Sequence, residues 1–439
     1  MKHRSLSRLA LAAPLFALAP LAHAADVTLD TGTTAWMMTA AMFVLLMCIP
    51  GLALFYGGML RAKNFLSIFT QLFATAGVIG VLWVVYGYSI VVDTNGMVAN
   101  QITFNSFVGG LSKLFMLDMK HDSLMGNIPE GVYSVFQLTF AIITPALIAG
   151  GFAERMKFSA SLLFMALWFT LVYAPIAHMV WGGPGALMVN WGMLDFAGGT
   201  AVHINSGVAA LAAALMLGKR KGYPHTSMPP HNLGFTMIGA GMLWVGWFGF
   251  NIGSGLMVNT GAGIVMLTTM IAACAGIVGW MLTEKMIHGR PSALGAASGA
   301  LAGLVGITPA CAYVGPIGAL LIGLLTGTIC FFAVSRLKQA FGYDDTLDVF
   351  SLHGIGGMVG ALLTGIFAAP SMGGYVDGAE VLPQFLIQLK GVAFTFVYCF
   401  VVSWAILGLV KLLVGLRASS ENEEMGLDLA EHNERAYNL

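Results

Sequence analysis

Gly198-Gly199-Thr200-Ala201-Val202-His203-Ile204-Asn205-Ser206-Gly207 and Asp348-Val349-Phe350-Ser351-Leu352-His353-Gly354-Ile355-Gly356-Gly357 are the two stretches that decide the fold. In each, a histidine interrupts a long apolar run near mid-helix depth, and a glycine follows four residues later. An ionisable side chain inside a bilayer is costly, so it usually faces a cavity or a partner and marks a pathway. One such histidine is as readily a packed interhelical hydrogen bond as a functional group. Two, in matching places of the two halves, point to function.

Composition sets the frame. The chain has 439 residues, 58% of them hydrophobic and 9% charged, with 56 glycines and a formal net charge of zero. A soluble domain carries about 25% charge, so this is an all-α integral membrane protein. No basic patch suggests nucleic acid, and no hydrolytic constellation, nucleotide loop or metal-ligand spacing suggests an enzyme or a cofactor. Cys48, Cys274, Cys311, Cys330 and Cys399 lie in or beside apolar segments and read as packing residues, as do the 27 methionines. Lys2, His3, Arg4 and Arg8, the apolar stretch 9–21 and Ala22-His23-Ala24 read as a cleaved signal peptide over residues 1–24.

Eleven apolar segments follow, near 35–58, 66–91, 131–153, 158–180, 198–217, 232–252, 261–283, 293–307, 314–334, 349–368 and 385–414. The eighth is short, and its Gly295, Gly299 and Gly303 predict a close helix neighbour. Loops after odd-numbered segments hold Arg61, Lys63, Arg155, Lys157, Lys219, Arg220, Lys221, Lys285, Arg290, Arg336 and Lys338; the others hold few basic residues. The positive-inside rule then puts the mature N-terminus outside and the C-terminus in the cytoplasm of a bacterial inner membrane. Eleven also divides as five plus five plus one long C-terminal helix. That division implies an inverted repeat, with His203 in the fifth span and His353 in the tenth. The membrane unit is 25–416 and the polar, acidic tail 417–439, which by composition alone resembles a disordered segment. Asp195 and Asp348 each precede a histidine near a helix start, Asp348 as a plain N-terminal acid, and Glu154-Arg155 reads as an interfacial ion pair.

Several longer stretches carry a family resemblance: Leu54-Phe55-Tyr56-Gly57-Gly58-Met59-Leu60-Arg61-Ala62-Lys63-Asn64, Asp195 through Asn205, Trp247-Phe248-Gly249-Phe250-Asn251-Ile252-Gly253-Ser254, and Gly426-Leu427-Asp428 through Glu434-Arg435-Ala436-Tyr437. Over nearly all of the mature sequence the chain resembles ammonium transporters of the Amt/Mep/Rh family, in their bacterial Amt branch. The resemblance implies a homotrimer with one pore per subunit. Phe136, Trp181 and Ser254 would recruit ammonium outside, Phe140 and Phe250 would close the pore below them, and His203 and His353 would line it. Asp195 would be a supporting acid. The tail would fold on the cytoplasmic face and couple the pore to a PII-type regulatory protein.

Elementary chemistry fits these roles, with alternatives. An indole face attracts ammonium by roughly 1–2 kcal/mol when partly desolvated, and a serine hydroxyl accepts one of its N–H bonds. From position alone Trp181 reads first as an aromatic-belt residue, and Phe136 and Phe140, at i and i+4, as ordinary core packing; the resemblance reverses both. Asp195 is either a proton acceptor or, more in keeping with its place at a helix start, a cap for backbone N–H groups. Moving an ion through an apolar constriction incurs tens of kcal/mol in the dry limit. Removing a proton from ammonium, with a pKa of ~9, costs only about 3 kcal/mol at neutral pH. Neutral ammonia then needs only imidazole donors and acceptors, and potassium has no proton to lose. Two other expectations stay open at this point: an ammonium sensor using the same fold, and an Rh-like channel for a neutral gas.

Overall fold

Long apolar runs without charge leave the backbone no partner but itself, and in this chain they become helices. The computed structural model describes residues 28–437; the signal-peptide assignment lies outside them. Among the described residues ten helices are long and apolar enough to cross a membrane. In chain order they are α1 Thr31–Met59, α2 Ala62–Val92, α3 Glu130–Phe152, α4 Phe158–Trp181, α5 Gly199–Leu217, α6 Leu233–Gly253, α7 Thr260–His288, α9 Pro316–Phe341, α10 Phe350–Phe367 and α11 Val381–Leu413. Between α7 and α9 lies α8, Ala293–Ile307, whose 15 residues reach only about 22 Å. The architecture is that of an all-α membrane bundle.

Small residues set how closely the helices approach. A Cβ on Gly299 would stand 2.8 Å from the Gly276 carbonyl oxygen of α7, and one on Gly327 of α9 would stand 3.0 Å from the Gly276 Cα. Helices α7, α8 and α9 therefore pack backbone against backbone, the arrangement that the glycine spacing of α8 predicts. The same device joins α5 to α10. A Cβ on Gly207 would run into the backbone of Gly354, so the two histidine-bearing helices cross where both lack side chains.

One end of the bundle is tied by charge. Glu154 is buried and pairs with Arg61 (2.8 Å) and Arg220 (3.1 Å), and Arg220 also grips both oxygens of Asp344 at 2.9 Å. Burial pushes the Glu154 carboxyl up, but the two guanidinium groups more than offset it and hold it below the usual range. Arg155 does not pair with Glu154. It donates to the carbonyls of Gly151 (3.0 Å) and Asp344 (2.5 Å) and to the Thr346 hydroxyl (2.6 Å). The expected Glu154–Arg155 pair is thus corrected. A left-handed Glu154 (φ 71°) turns adjacent side chains to different partners.

The tail docks at this same end. Asp428 accepts the N–H groups of Leu66 (3.0 Å) and Ser67 (2.7 Å), and Asn64 accepts the Leu427 N–H at 2.8 Å. The tail thereby caps the first turn of α2 with a carboxylate, a partner that the exposed N–H groups there favour.

Candidate functional site

At the opposite end, Asp195 organises the approach to α5. Its carboxylate accepts the backbone N–H groups of Gly198 (3.0 Å), Gly199 (2.5 Å), Thr200 (2.8 Å) and Ala201 (3.4 Å), together with the Thr200 hydroxyl. These are the donors that a helix start leaves without partners. The Asp195 carbonyl accepts the indole N–H of Trp181 at 3.2 Å. One residue therefore fixes both the start of the His203 helix and the orientation of Trp181. Gly198 adopts φ 112°, a conformation that side chains rarely take, and a Cβ there would stand 2.8 Å from the Val202 side chain and crowd the Trp181 ring at 3.2 Å, so the turn favours glycine.

Trp181 borders a cavity of about 140 Å³ whose lining includes Phe136, Phe140 and Ser254. The Ser254 hydroxyl donates to the Phe250 carbonyl at 2.8 Å, which leaves its lone pairs for a donor in the cavity. Tyr133, Gln137, Phe196 and Leu256 complete the wall, and sequence alone does not single them out. A wider cavity of about 460 Å³ adjoins it, sharing Tyr133, Gln137 and Trp181 and carrying Asp93 and Asp118. Phe140 and Phe250 stack across the floor with ring centres 4.1 Å apart and planes 26° apart. Phe136 lies 5.0 Å from Phe140 on the same helical face.

Beyond the stacked pair lies a lumen of only about 10 Å³, bordered by Phe250, Val202, Leu301, Trp247, His203 and His353 among apolar neighbours. Such a volume holds about one small molecule. The imidazoles meet Nδ1 to Nδ1 at 3.2 Å, and both are buried. His203 stacks under Phe250 (5.9 Å, 22°) and beside Trp247 (5.3 Å, 27°). Behind it, Thr308 donates to the Leu304 carbonyl (2.7 Å) and accepts the Trp247 indole N–H (2.9 Å). The His203 Nε2 lies 3.4 Å from the same hydroxyl oxygen. With its own hydrogen committed to Leu304, Thr308 can only accept from His203. Thr308 and Trp247 were not read as site residues; a lone threonine after a short apolar helix carries no signal of its own.

At the far side of the histidines, α10 begins on a different acid from the one expected. Asp345, not Asp348, accepts the Phe350 N–H at 2.7 Å. Asp348 sits at φ 58° and pairs with Lys338 at 2.8 Å. The left-handed turn swings its side chain away from the helix start, which corrects its reading as an N-terminal acid. Burial first, and the Asp348 carboxylate second, push Asp345 up to about 6.

The chain matches the Ammonium Transporter Family over residues 35–437. It is 45% identical over 414 residues to an ammonium transporter of Bacillus subtilis, covering 93% of this chain and 99% of that one. It is also 45% identical over 423 residues to an ammonium transporter of Aquifex aeolicus, covering 95% and 96%. Its structure superposes on that of Saccharomyces cerevisiae Mep2 with a TM-score of 0.79 at 33% identity, covering 90% of this chain and 91% of that one. On a sensor Amt protein the TM-score is 0.83 at 29% identity, covering 91% and 98%. With relatives this similar over nearly its whole length, the chain belongs to the ammonium transporter family.

Proposed function

We propose that the protein recruits ammonium in the Trp181 cavity, where ammonium gives its proton to water on that side or to the histidine pair below, and passes ammonia along His203 and His353 to the other side. The observation that carries this reading is the change in the path. A cavity with an indole face and a free hydroxyl lone pair gives way, past two stacked phenylalanines, to an apolar lumen whose polar atoms belong to two histidines. The first environment favours a cation and the second excludes one.

The tautomers follow from the hydrogen bonds. Because Thr308 only accepts, His203 carries its proton on Nε2 and presents a bare Nδ1. His353 then donates from its own Nδ1, which leaves its Nε2 as an acceptor for an N–H of passing ammonia. Both rings remain neutral, and the shared Nδ1–Nδ1 proton is the group through which a charge can be relayed. Asp195 serves as a cap that positions Trp181 and His203 and lends negative potential to the cavity.

In this reading the Trp181 end is periplasmic and the tail end cytoplasmic, in a bacterial inner membrane. Subunits form a homotrimer, and the docked tail is the surface for a PII-type protein. The likeness to a solved sensor Amt protein favours sensing as the second reading. Current on a solid-supported membrane, pulsed with ammonium and then potassium, tests both. Ammonium current without potassium current supports transport. Folded protein that gives neither current nor ammonia-driven pH change inside liposomes favours sensing.

A further inference from the structure

Phe55 lines both the narrow lumen and a second cavity of about 220 Å³ on the side away from the stacked phenylalanines. Leu352, next to His353, also borders that cavity, which therefore adjoins the end of the lumen away from the stacked phenylalanines and forms its inner mouth in the pore reading. Its walls differ from the lumen's. Trp280 and Phe331 meet edge to face at 5.7 Å, and the His288 ring lies 5.7 Å from Phe331. Two carboxylates border it, and only one is neutralised. Asp348 holds Lys338 at 2.8 Å. Glu284 accepts only from Ser292, its N–H at 2.9 Å and its hydroxyl at 2.8 Å. Among the described residues Glu284 has no ion-pair partner. Gly295 leaves room for one of its oxygens, since a Cβ there would collide with it.

We propose that this mouth is a second ammonium site, with the Glu284 carboxylate as its charged acceptor and the Trp280 ring as its wall. The inference rests on the pore reading above. A partly enclosed carboxylate whose only partners are neutral donors attracts a cation, and four N–H groups let ammonium bond it while facing an indole. The site holds ammonium arriving by either route, formed from ammonia at the end of its passage or entering from the inner solution. It therefore sets the affinity for reverse transport independently of Trp181.

The test is ammonium current in excised membrane patches bearing the full-length protein, with ammonium applied to one face at a time. Glu284→Gln is expected to raise the half-saturating concentration on the inner face about tenfold and leave the outer face unchanged. Glu284→Asp keeps the charge and stays within about twofold of native. Ser292→Ala removes the hydroxyl bond to Glu284 but keeps the backbone N–H bond and the carboxylate, and leaves both faces unchanged. Should Glu284→Gln not fold, Trp280→Leu carries the same inner-face expectation. Equal inner and outer values for the native protein and Glu284→Gln overturn the site, as does a Ser292→Ala shift equal to that of Glu284→Gln. Absence of both ammonium current on either face and ammonia-driven pH change inside liposomes, in folded native protein, overturns the pore reading instead.

Discussion

Asp195 and Asp345 occupy the same place relative to the two histidines: each lies eight residues ahead of one (195 to 203, 345 to 353) and accepts backbone N–H groups where its helix begins. The two helices start from opposite ends of the bundle, so each imidazole is set from its own side. Their occupancies differ. Asp195 has both oxygens engaged, whereas one oxygen of Asp345 has no partner among the described residues.

Asp195→Ala leaves four backbone N–H groups without their acceptor, and a loss of about 3 kcal/mol or more is expected. Asp195→Asn keeps one oxygen and loses about half as much. Melting of the purified variants in detergent reads the difference. An Asp195→Asn protein as stable as the native one but without transport would make Asp195 a proton acceptor rather than a cap.

Asp345 gives a pH signature. Its carboxyl is pushed up to about 6, while in the unfolded chain it titrates near an ordinary value of about 4. The folded state thus keeps a proton that the unfolded state has released, and the stability due to this group falls as pH rises from about 4 to about 6. Lys338 and the N–H groups of Phe350 and Val349 pull the other way without reversing it. The native-minus-variant difference in melting temperature for Asp345→Asn should therefore decline across that window. A flat difference would show that Asp345 does not titrate there.

Replacing both histidines by alanine takes every imidazole acceptor out of the lumen and leaves space behind. The double variant should lose ammonium selectivity, either falling silent or admitting potassium. Current under matched ammonium and potassium pulses distinguishes these from unchanged selectivity, which would remove the histidines from the path.

Trp181→Leu removes the indole face and should raise the outer half-saturating ammonium concentration about tenfold, as expected for roughly 1–2 kcal/mol. Ser254→Ala removes one acceptor and should raise it about fivefold. If Trp181→Leu instead abolishes folding, Trp181 matters chiefly through its bond to the Asp195 carbonyl.

Apolar length was enough to read the helices, because within a bilayer a span has little alternative to hydrogen-bonding itself. Phe136, Phe140, Trp181 and Ser254 gather at one cavity, and His203 and His353 at one lumen, as residues set on facing helices. What stayed hidden depends on local backbone. Asp345 and Asp348 look equally like helix-starting acids in sequence; only the left-handed turn at Asp348 decides between them. Glu154 and Arg155 are adjacent in the chain yet serve different partners for a similar reason. Thr308 matters through a tertiary contact with Trp247 and His203, and no periodicity encodes that.

The crossing at Gly207 and Gly354 makes the imidazole pair vulnerable at positions that never meet a substrate. A single methyl group at 207 would wedge the two helices apart and part the Nδ1 atoms, leaving two intact histidines with nothing to share. Inherited or selected changes that silence this protein will thus fall on chemically blank residues as readily as on reactive ones. A survey that scores a site by its side-chain chemistry will pass over them.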